Sequence, residues 1–386
     1  MSPSLRSDLR DRLGVPTLVF LGATLLLYTG YLASGVSPHF LAGVNWAHWD
    51  SFQYEGIASR GYFVAPCPPH TPGLCGNGGW FPGYPLLLAP LYSLGLSHNF
   101  TGEAISWMFD YGLLVLLWSE LRKLDSELRY IALVFAACVP GGVLMRSVFP
   151  MSMTAFFMVA GLLTARAERW RLAGLLAGIA GFCYPSVAVL APLLAAMAFW
   201  RLHDQPTIVR LREAGLAGAL ALGGFVATCI LTQAQTGHWN LYFLVQETYE
   251  HGFHGPWATI WPLIKGVLQH QNPGTRSALF APATAAVGVE AAVALIIVCC
   301  VAGNLVWRLR QRIATDWDIA LTALIVVLWL FPVTQANLSW WRGDTLLVPV
   351  ALLIPRMPKS VGVTITTLAV AMFPRLTTFF VQNLLF

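Results

Sequence analysis

Val15–Val36, VPTLVFLGATLLLYTGYLASGV, runs for 22 residues without a charge, and whether it is retained or cleaved decides how the rest of the chain is read. Arg6, Arg10 and Arg12 precede it, as they would in a secretory signal, and Ala33-Ser34-Gly35 offers small residues at a cleavage position. The run is longer than a usual signal core of roughly 7–15 residues, and about 20 apolar residues cross a bilayer. It therefore reads as a retained membrane span.

Composition extends that reading to the whole chain. Of 386 residues 56% are hydrophobic and 11% charged, with a mean hydropathy of +0.64, which excludes an ordinary soluble domain. Apolar runs recur from Val15 to Phe379 without the alternation of a β-barrel, so the expected fold is an all-α polytopic membrane bundle. No repeat, coiled coil or low-complexity linker divides it, and residues 1–386 read as a single membrane domain.

Basic residues set the expected orientation, because short loops rich in Lys and Arg stay cytoplasmic. With the N-terminus cytoplasmic, eleven crossings are drawn: Val15 to Val36, Glu103 to Leu121, Tyr130 to Met145, Pro150 to Ala165, Leu172 to Tyr184, Val187 to Trp200, Leu216 to Gln235, Ala283 to Trp307, Asp318 to Ala336, Thr345 to Ile354 and Val361 to Val381. On this path 17 of the 23 basic residues are cytoplasmic; Arg60, Arg146, Lys265, Arg276, Arg342 and Arg375 are left for the other face. Trp80 to Leu96 cannot be a further span without moving Arg122 and Lys123 outside. Its prolines at 82, 85 and 90 fit an interfacial or re-entrant helix. The segment from Arg171 to Arg201 is short for two full spans and is expected to turn at Tyr184-Pro185-Ser186, below the surface. Three Lys against twenty Arg fit a GC-rich bacterial source, so the expected location is a bacterial plasma membrane.

Two long loops, about 37–102 and 236–281, then face outside and carry eight of the nine histidines. Cys67 and Cys75 lie in the first, in APCPPHTPGLCGNGG, where a disulfide is expected; a metal site with His70 is the rival, but lacks zinc-ligand spacing. The other five cysteines fall within spans and read as packing residues.

The first loop contains Trp46 to Gly61, WAHWDSFQYEGIASRG, which sets the carboxylate of Asp50 between aromatic residues. Sugar transfer from a lipid phosphate to an alcohol needs a base for the hydroxyl and cations near the phosphate, but no general acid. Hydrolysis of a glycoside would need two paired carboxylates. One prominent carboxylate with a few cations and many aromatics suits transfer better. A purely structural reading stands beside it: Asp50-Ser51-Phe52-Gln53 can open a helix, with Asp50 as N-cap and Gln53 reaching back, worth about 1 kcal/mol.

His48-Trp49-Asp50, Tyr54, Ile57-Ala58 and Gly61-Tyr62 resemble the HWD…Y..IA..GY signature of the PIG-V family, the mannosyltransferases that add the second mannose of GPI, and their bacterial relatives. Trp80-Phe81-Pro82-Gly83-Tyr84-Pro85-Leu86 is similar to that family's FFPLYPLL stretch, and Ser339-Trp340-Trp341-Arg342 to its S..RY approach to a late span. The segment from Arg146 to Leu194 resembles the family's paired spans, but Met151-Ser152-Met153 lacks the acidic residue and Tyr184-Pro185-Ser186 replaces an Arg-containing tip. The likeness covers the first half well and the second mainly in hydropathy. It implies a GT-C-like bundle, a polyprenyl-phosphate donor carrying mannose, a glycolipid or glycan acceptor, and an inverting mechanism with Asp50 as base. No metal or other cofactor is implied.

Donor or acceptor contacts are expected from His48, Trp49, Tyr54, Tyr84, Arg146, Tyr184, His251, His254, Trp341 and Arg342. Each has a plainer reading. Arg146 and Arg342 lie at outer span ends, where they could line a cavity, snorkel to lipid or, for Arg342, pair with Asp344. His48 could be an interfacial residue, and Gln246 to His254 an ordinary solvated loop. Asp110 and Glu290 fall within spans and should be partnered or protonated. Asp316-Trp317-Asp318 spells the D-x-D of nucleotide-sugar enzymes, yet lies among cytoplasmic arginines and reads as a helix start. The net charge of +5 is explained by topology and anionic lipid contact, and no motif supports nucleic-acid binding. The alternatives to an enzyme are a carrier for a lipid-linked saccharide and a non-catalytic assembly partner of a glycosyltransferase.

Overall fold

Among the described residues of the computed structural model, six helices are long and apolar enough to cross a bilayer, and they make this an all-α integral membrane protein. The structure describes residues 3–36, 39–67, 73–249, 252–261, 277–335 and 340–385. In chain order its helices are α1 (Pro3–Ser34), α2 (Ser51–Arg60), α3 (Gly83–Ser93), α4 (His98–Leu121), α5 (Leu128–Ala137), α6 (Met151–Arg166), α7 (Trp170–Cys183), α8 (Leu190–Arg201), α9 (Thr207–Thr236), α10 (Leu241–Thr248), α11 (Ser277–Arg310), α12 (Asp316–Val333) and α13 (Lys359–Val381). The spans of sufficient length lie in α1, α4, α9, α11, α12 and α13, while α5 to α8 are shorter apolar helices packed among them. Among the described residues the only strands are β1 (Val64–Pro66) and β2 (Leu74–Gly76), an antiparallel pair in the first long loop.

The stretch expected as a span at Thr345 to Ile354 is not an α-helix. It is a 3-10 run, Trp340–Leu352, followed by Ile354–Arg356, and Pro349 within it removes one backbone donor. At ~2.0 Å per residue such a run rises roughly 26 Å, so few residues cover a long path. Leu346, Leu347, Val348, Val350 and Ala351 are fully buried, which places this segment in the middle of the bundle.

Small residues bring α7 and α9 together. A Cβ on Gly174 would lie 2.5 Å from the Ala217 carbonyl oxygen, and Gly178 meets Leu220 and Gly224 just as closely. Close backbone approach of this kind holds helices together where lipid offers no hydrophobic drive.

The turn between α7 and α8 falls where the sequence puts it: Tyr184 is extended and Pro185–Val189 forms a 3-10 turn. α3 spans 11 residues, about 16 Å at 1.5 Å each, too short to cross. The predicted cytoplasmic loops share one end of the bundle through ion pairs: Arg122 with Asp11 at 3.3 Å, Arg166 with Glu120 at 3.7 Å, Arg201 with Asp316 at 3.8 Å and Lys359 with Glu127 at 3.0 Å. There Asp318 sits between Arg308 at 3.3 Å and Arg356 at 2.8 Å and completes a capping box with Thr315 at the start of α12. The D-x-D residues are thus a helix start.

Candidate functional site

The opposite end of the bundle is built around residues 39–50. Trp46 is fully buried; its indole N–H donates to the Phe40 carbonyl at 2.8 Å, and its own carbonyl accepts from the Val148 amide at 2.9 Å. Phe380 of α13 packs against Trp46, His48 and Trp49 with ring centroids 6.5, 5.1 and 5.5 Å away. The chain reverses at Trp49, whose φ of +46° is left-handed, a conformation that costs a bulky residue about 1–2 kcal/mol. The Ser51 hydroxyl accepts the His48 amide at 3.1 Å, and the Ser51 amide donates to the His48 carbonyl at 3.0 Å. α2 begins immediately after this turn.

Asp50 stands at the N-cap position of α2, but its side chain does not cap the helix, so the structural role read from the sequence is not realised. Its carboxylate instead accepts a hydrogen bond from Nη1 of Arg342, in the 3-10 run Trp340–Leu352, and forms an ion pair with it. The two side chains are 22% and 13% exposed, so the pair is sheltered yet open to ligand. Arg342 therefore does not pair with Asp344.

Aromatic residues surround this pair. The Arg342 guanidinium lies 6.0 Å from the Phe149 ring, which meets Tyr54 edge-on at 5.9 Å. Tyr54, Tyr184 and Tyr249 are near enough to feel the charge of Asp50, and burial with that charge pushes the Tyr54 hydroxyl far above its usual pKa. Tyr249 is half exposed and meets the Trp80 ring at 6.3 Å. Burial lowers the His48 imidazole to about 4 against a hydrogen bond with the Asn45 backbone, leaving it neutral, with a buried Nε2 that has no partner among the described residues. Glu55, on α2, is pushed up to about 7 by burial.

The loops are braced from outside. Tyr62 donates its amide to Gln235 at 2.7 Å and its hydroxyl to the Trp80 carbonyl at 2.8 Å; buried Asn77 bridges Gly61 and Phe63 at 3.0 and 2.9 Å. Cys67 and Cys75 form the expected disulfide beside β1 and β2. Leu241 of α10 packs over Gly78, bringing the second loop onto the first.

Several expected ligand contacts lie elsewhere. Arg146 is fully buried, bonded through Nε to Asp110 at 2.7 Å and through Nη1 to Thr24 at 3.3 Å, with the Phe20 ring 4.6 Å away. It ties α1 and α4 to the chain before α6 and is not presented to a cavity, because the like-buried Asp110 needs that charge. Tyr84 is fully buried with its hydroxyl on the Gly102 carbonyl at 2.6 Å, and Trp341 is fully buried. His254 is exposed, its amide donating to the Thr334 carbonyl at 3.0 Å. His251, Ser339 and the His70 alternative lie outside the described residues. Glu290 of α11 and Asp344 are fully buried and close enough to interact, and the Gly141 backbone lies beside the Glu290 carboxyl.

Phe149, Phe380 and Asn77 are not singled out by sequence reasoning, and Trp80 only as part of a family-like stretch. Phe149 lies three residues after Arg146 and directly before the Pro150 that opens α6, the one local hint that this segment is a fixed turn. Among the described residues no group of three or more His, Cys, Asp or Glu could hold a metal ion. Neither models of known protein families nor curated protein sequences match this chain.

Proposed function

We propose that the protein is a membrane glycosyltransferase that moves a sugar, mannose first among candidates, from a polyprenyl phosphate to a glycolipid or glycan acceptor. The observation that carries this reading is the pairing of Asp50 with Arg342 close to the buried hydroxyls of Tyr54 and Tyr184. A carboxylate there can take the acceptor proton, and a guanidinium beside it can receive the leaving phosphate. As the acceptor oxygen bonds to the anomeric carbon, the bond from that carbon to phosphate oxygen breaks. The phosphate keeps the electron pair, and Asp50 keeps the proton. Attack opposite the leaving group inverts the anomeric centre. Aromatic faces and phenolic hydroxyls around the pair suit a sugar ring.

The same reading gives eleven crossings, a cytoplasmic N-terminus, a bacterial plasma membrane and a site on the extracytoplasmic face. The gathering of the basic loops at one end supports that sidedness. The likeness to the PIG-V family adds the donor class, and membrane lipids are the expected surroundings.

Transfer of labelled mannose from polyprenyl-phosphate mannose by membranes carrying wild type or Asp50→Asn tests the proposal. Wild type should transfer and the folded variant should lose at least ~100-fold, the lower range for removal of a general base. Equal activity in both would remove Asp50 from the mechanism.

A carrier for a lipid-linked saccharide is the second reading, favoured by one observation: Glu290 and Asp344 place two carboxylates inside the bundle. Movement of lipid-linked saccharide across proteoliposomes without sugar transfer would select it.

A further inference from the structure

We propose that Arg342 masks Asp50 until a phosphate takes the guanidinium, so that the base is released only when a donor is in place. The inference rests on the transferase reading and adds to it an order of events: the phosphate binds first, and the carboxylate becomes competent second.

Three observations carry it. Asp50 is held by the cation that the mechanism assigns to the phosphate. A carboxylate oxygen bonded to a guanidinium must leave that contact before it can meet an acceptor hydroxyl. Arg342 is also incompletely used: Nη1 meets Asp50, while Nε is buried without a partner among the described residues. A guanidinium has five donors in a planar fork, and in this one the Nε–H is not used by Asp50.

The third observation is the difference in how the two partners are anchored. Asp50 follows the left-handed turn at Trp49, which is packed against Phe380 and locked by the reciprocal bonds of His48 and Ser51. Arg342 projects from the beginning of a 3-10 run and reaches Asp50 through a long side chain passing Phe149. Arg342 has the longer side chain and more rotatable bonds, so it is the partner with more ways to move. An arriving phosphate, carrying more charge than a carboxylate, competes for that one cation across a short distance.

Competition has a sign that a structural ion pair lacks. Removing the Asp50 charge frees Arg342, so phosphate should bind more tightly although a residue of the site has been altered. The test uses the full chain in nanodiscs. Binding of a polyprenyl monophosphate, and separately of inorganic phosphate, is measured for wild type, Asp50→Asn, Asp50→Ala and Arg342→Gln. The folded state of each is checked by thermal unfolding.

Both Asp50 variants should bind about tenfold more tightly than wild type, on the scale of coupling between close charges, and Arg342→Gln should lose binding. Two Asp50 variants are used so that a folding defect in one leaves the other informative. Tightening seen only with the polyprenyl phosphate identifies a lipid phosphate as the ligand; the same tightening with inorganic phosphate identifies the free anion, and either supports the masking contact. Wild-type binding that is unchanged or weakened in both Asp50 variants overturns masking and leaves the transferase reading standing. Failure of every form to bind either phosphate overturns both.

Discussion

Thr248 donates its hydroxyl to the carbonyl of Leu74 at 3.1 Å, joining the end of α10 to the disulfide-closed strand pair of the other long loop. Gly73, with φ of +111°, lies against the same Thr248, so the strand pair and α10 form one brace beside Tyr249. The disulfide holds this brace, not the helical bundle.

Reduction of Cys67–Cys75, or replacement of both by Ser, should therefore act locally. Closing so small a loop is worth about 2–3 kcal/mol in the chain-entropy picture, all of it within this brace. Amide exchange over residues 241–249 is expected to rise, while the thermal midpoint of the bundle stays within about 2 °C. A collapse of the whole fold on reduction would show that the brace is part of the core.

The buried pair of Asp110 and Arg146 makes a different prediction. Both side chains are 1% exposed, so removing one charge strands the other. Asp110→Leu or Arg146→Met alone should each cost about 3–5 kcal/mol, and the two substitutions together should recover most of it. A double-mutant cycle by thermal unfolding in detergent reads this directly. Additive single losses would mean that the pair does not act as a unit.

His48 and Glu55 predict opposed pH dependences. His48 titrates near 4 in the fold and 6.5 when unfolded, so between these values the unfolded chain binds the extra proton and stability falls as pH is lowered from 6.5 toward 4. The full effect is about 3 kcal/mol. Glu55 moves from 4.5 to about 7, so the folded chain holds the extra proton and stability falls as pH rises from 4.5 to 7. Its half-exposed position weakens that contribution. In His48→Gln only the Glu55 dependence remains of the two, and the thermal midpoint should climb on acidification from pH 7 to 4.5 where wild type declines. Parallel profiles for the two proteins would remove His48 from the account.

What the sequence made legible was local. Hydropathy located the long spans, loop chemistry located the Cys67–Cys75 disulfide, and the spacing of Arg171 and Arg201 required the turn at Tyr184. Asp110 was expected to have a partner because a lone membrane charge is costly, yet nothing in the sequence named Arg146. Asp50 and Arg342 are 292 positions apart, and their meeting depends on how the 3-10 run threads the bundle. Hydropathy reports whether a segment enters lipid; it carries neither rotation about the axis nor rise per residue. For that reason Thr345 to Ile354 reads from the sequence as an ordinary span, although it lies in the 3-10 run, and Arg146 reads as facing a cavity although it is fully buried.

That threading depends on Gly141, which gives the last prediction. Gly141 has φ of +70°, and a Cβ there would lie 2.6 Å from the Trp341 carbonyl oxygen and 2.9 Å from Cγ2 of Thr345. The first problem is backbone strain, about 1–2 kcal/mol for a residue with a Cβ in the left-handed region. The second is displacement of the 3-10 run, because a carbonyl and a buried β-branched side chain have little room to yield. Thr345 donates its hydroxyl to the Arg342 carbonyl at 2.7 Å, so a shift at Thr345 is passed to Arg342. Gly141→Ala should therefore lower stability by more than the strain alone, roughly 2–4 kcal/mol once overpacking is added. It should also weaken the hold of Arg342 on Asp50, although Gly141 touches neither. Thermal unfolding gives the first quantity. The second is read by adding Asp50→Asn: if the pair is already loosened, the second substitution should cost less stability in Gly141→Ala than in wild type. An unchanged cost would mean that the run absorbs the methyl group without moving Arg342.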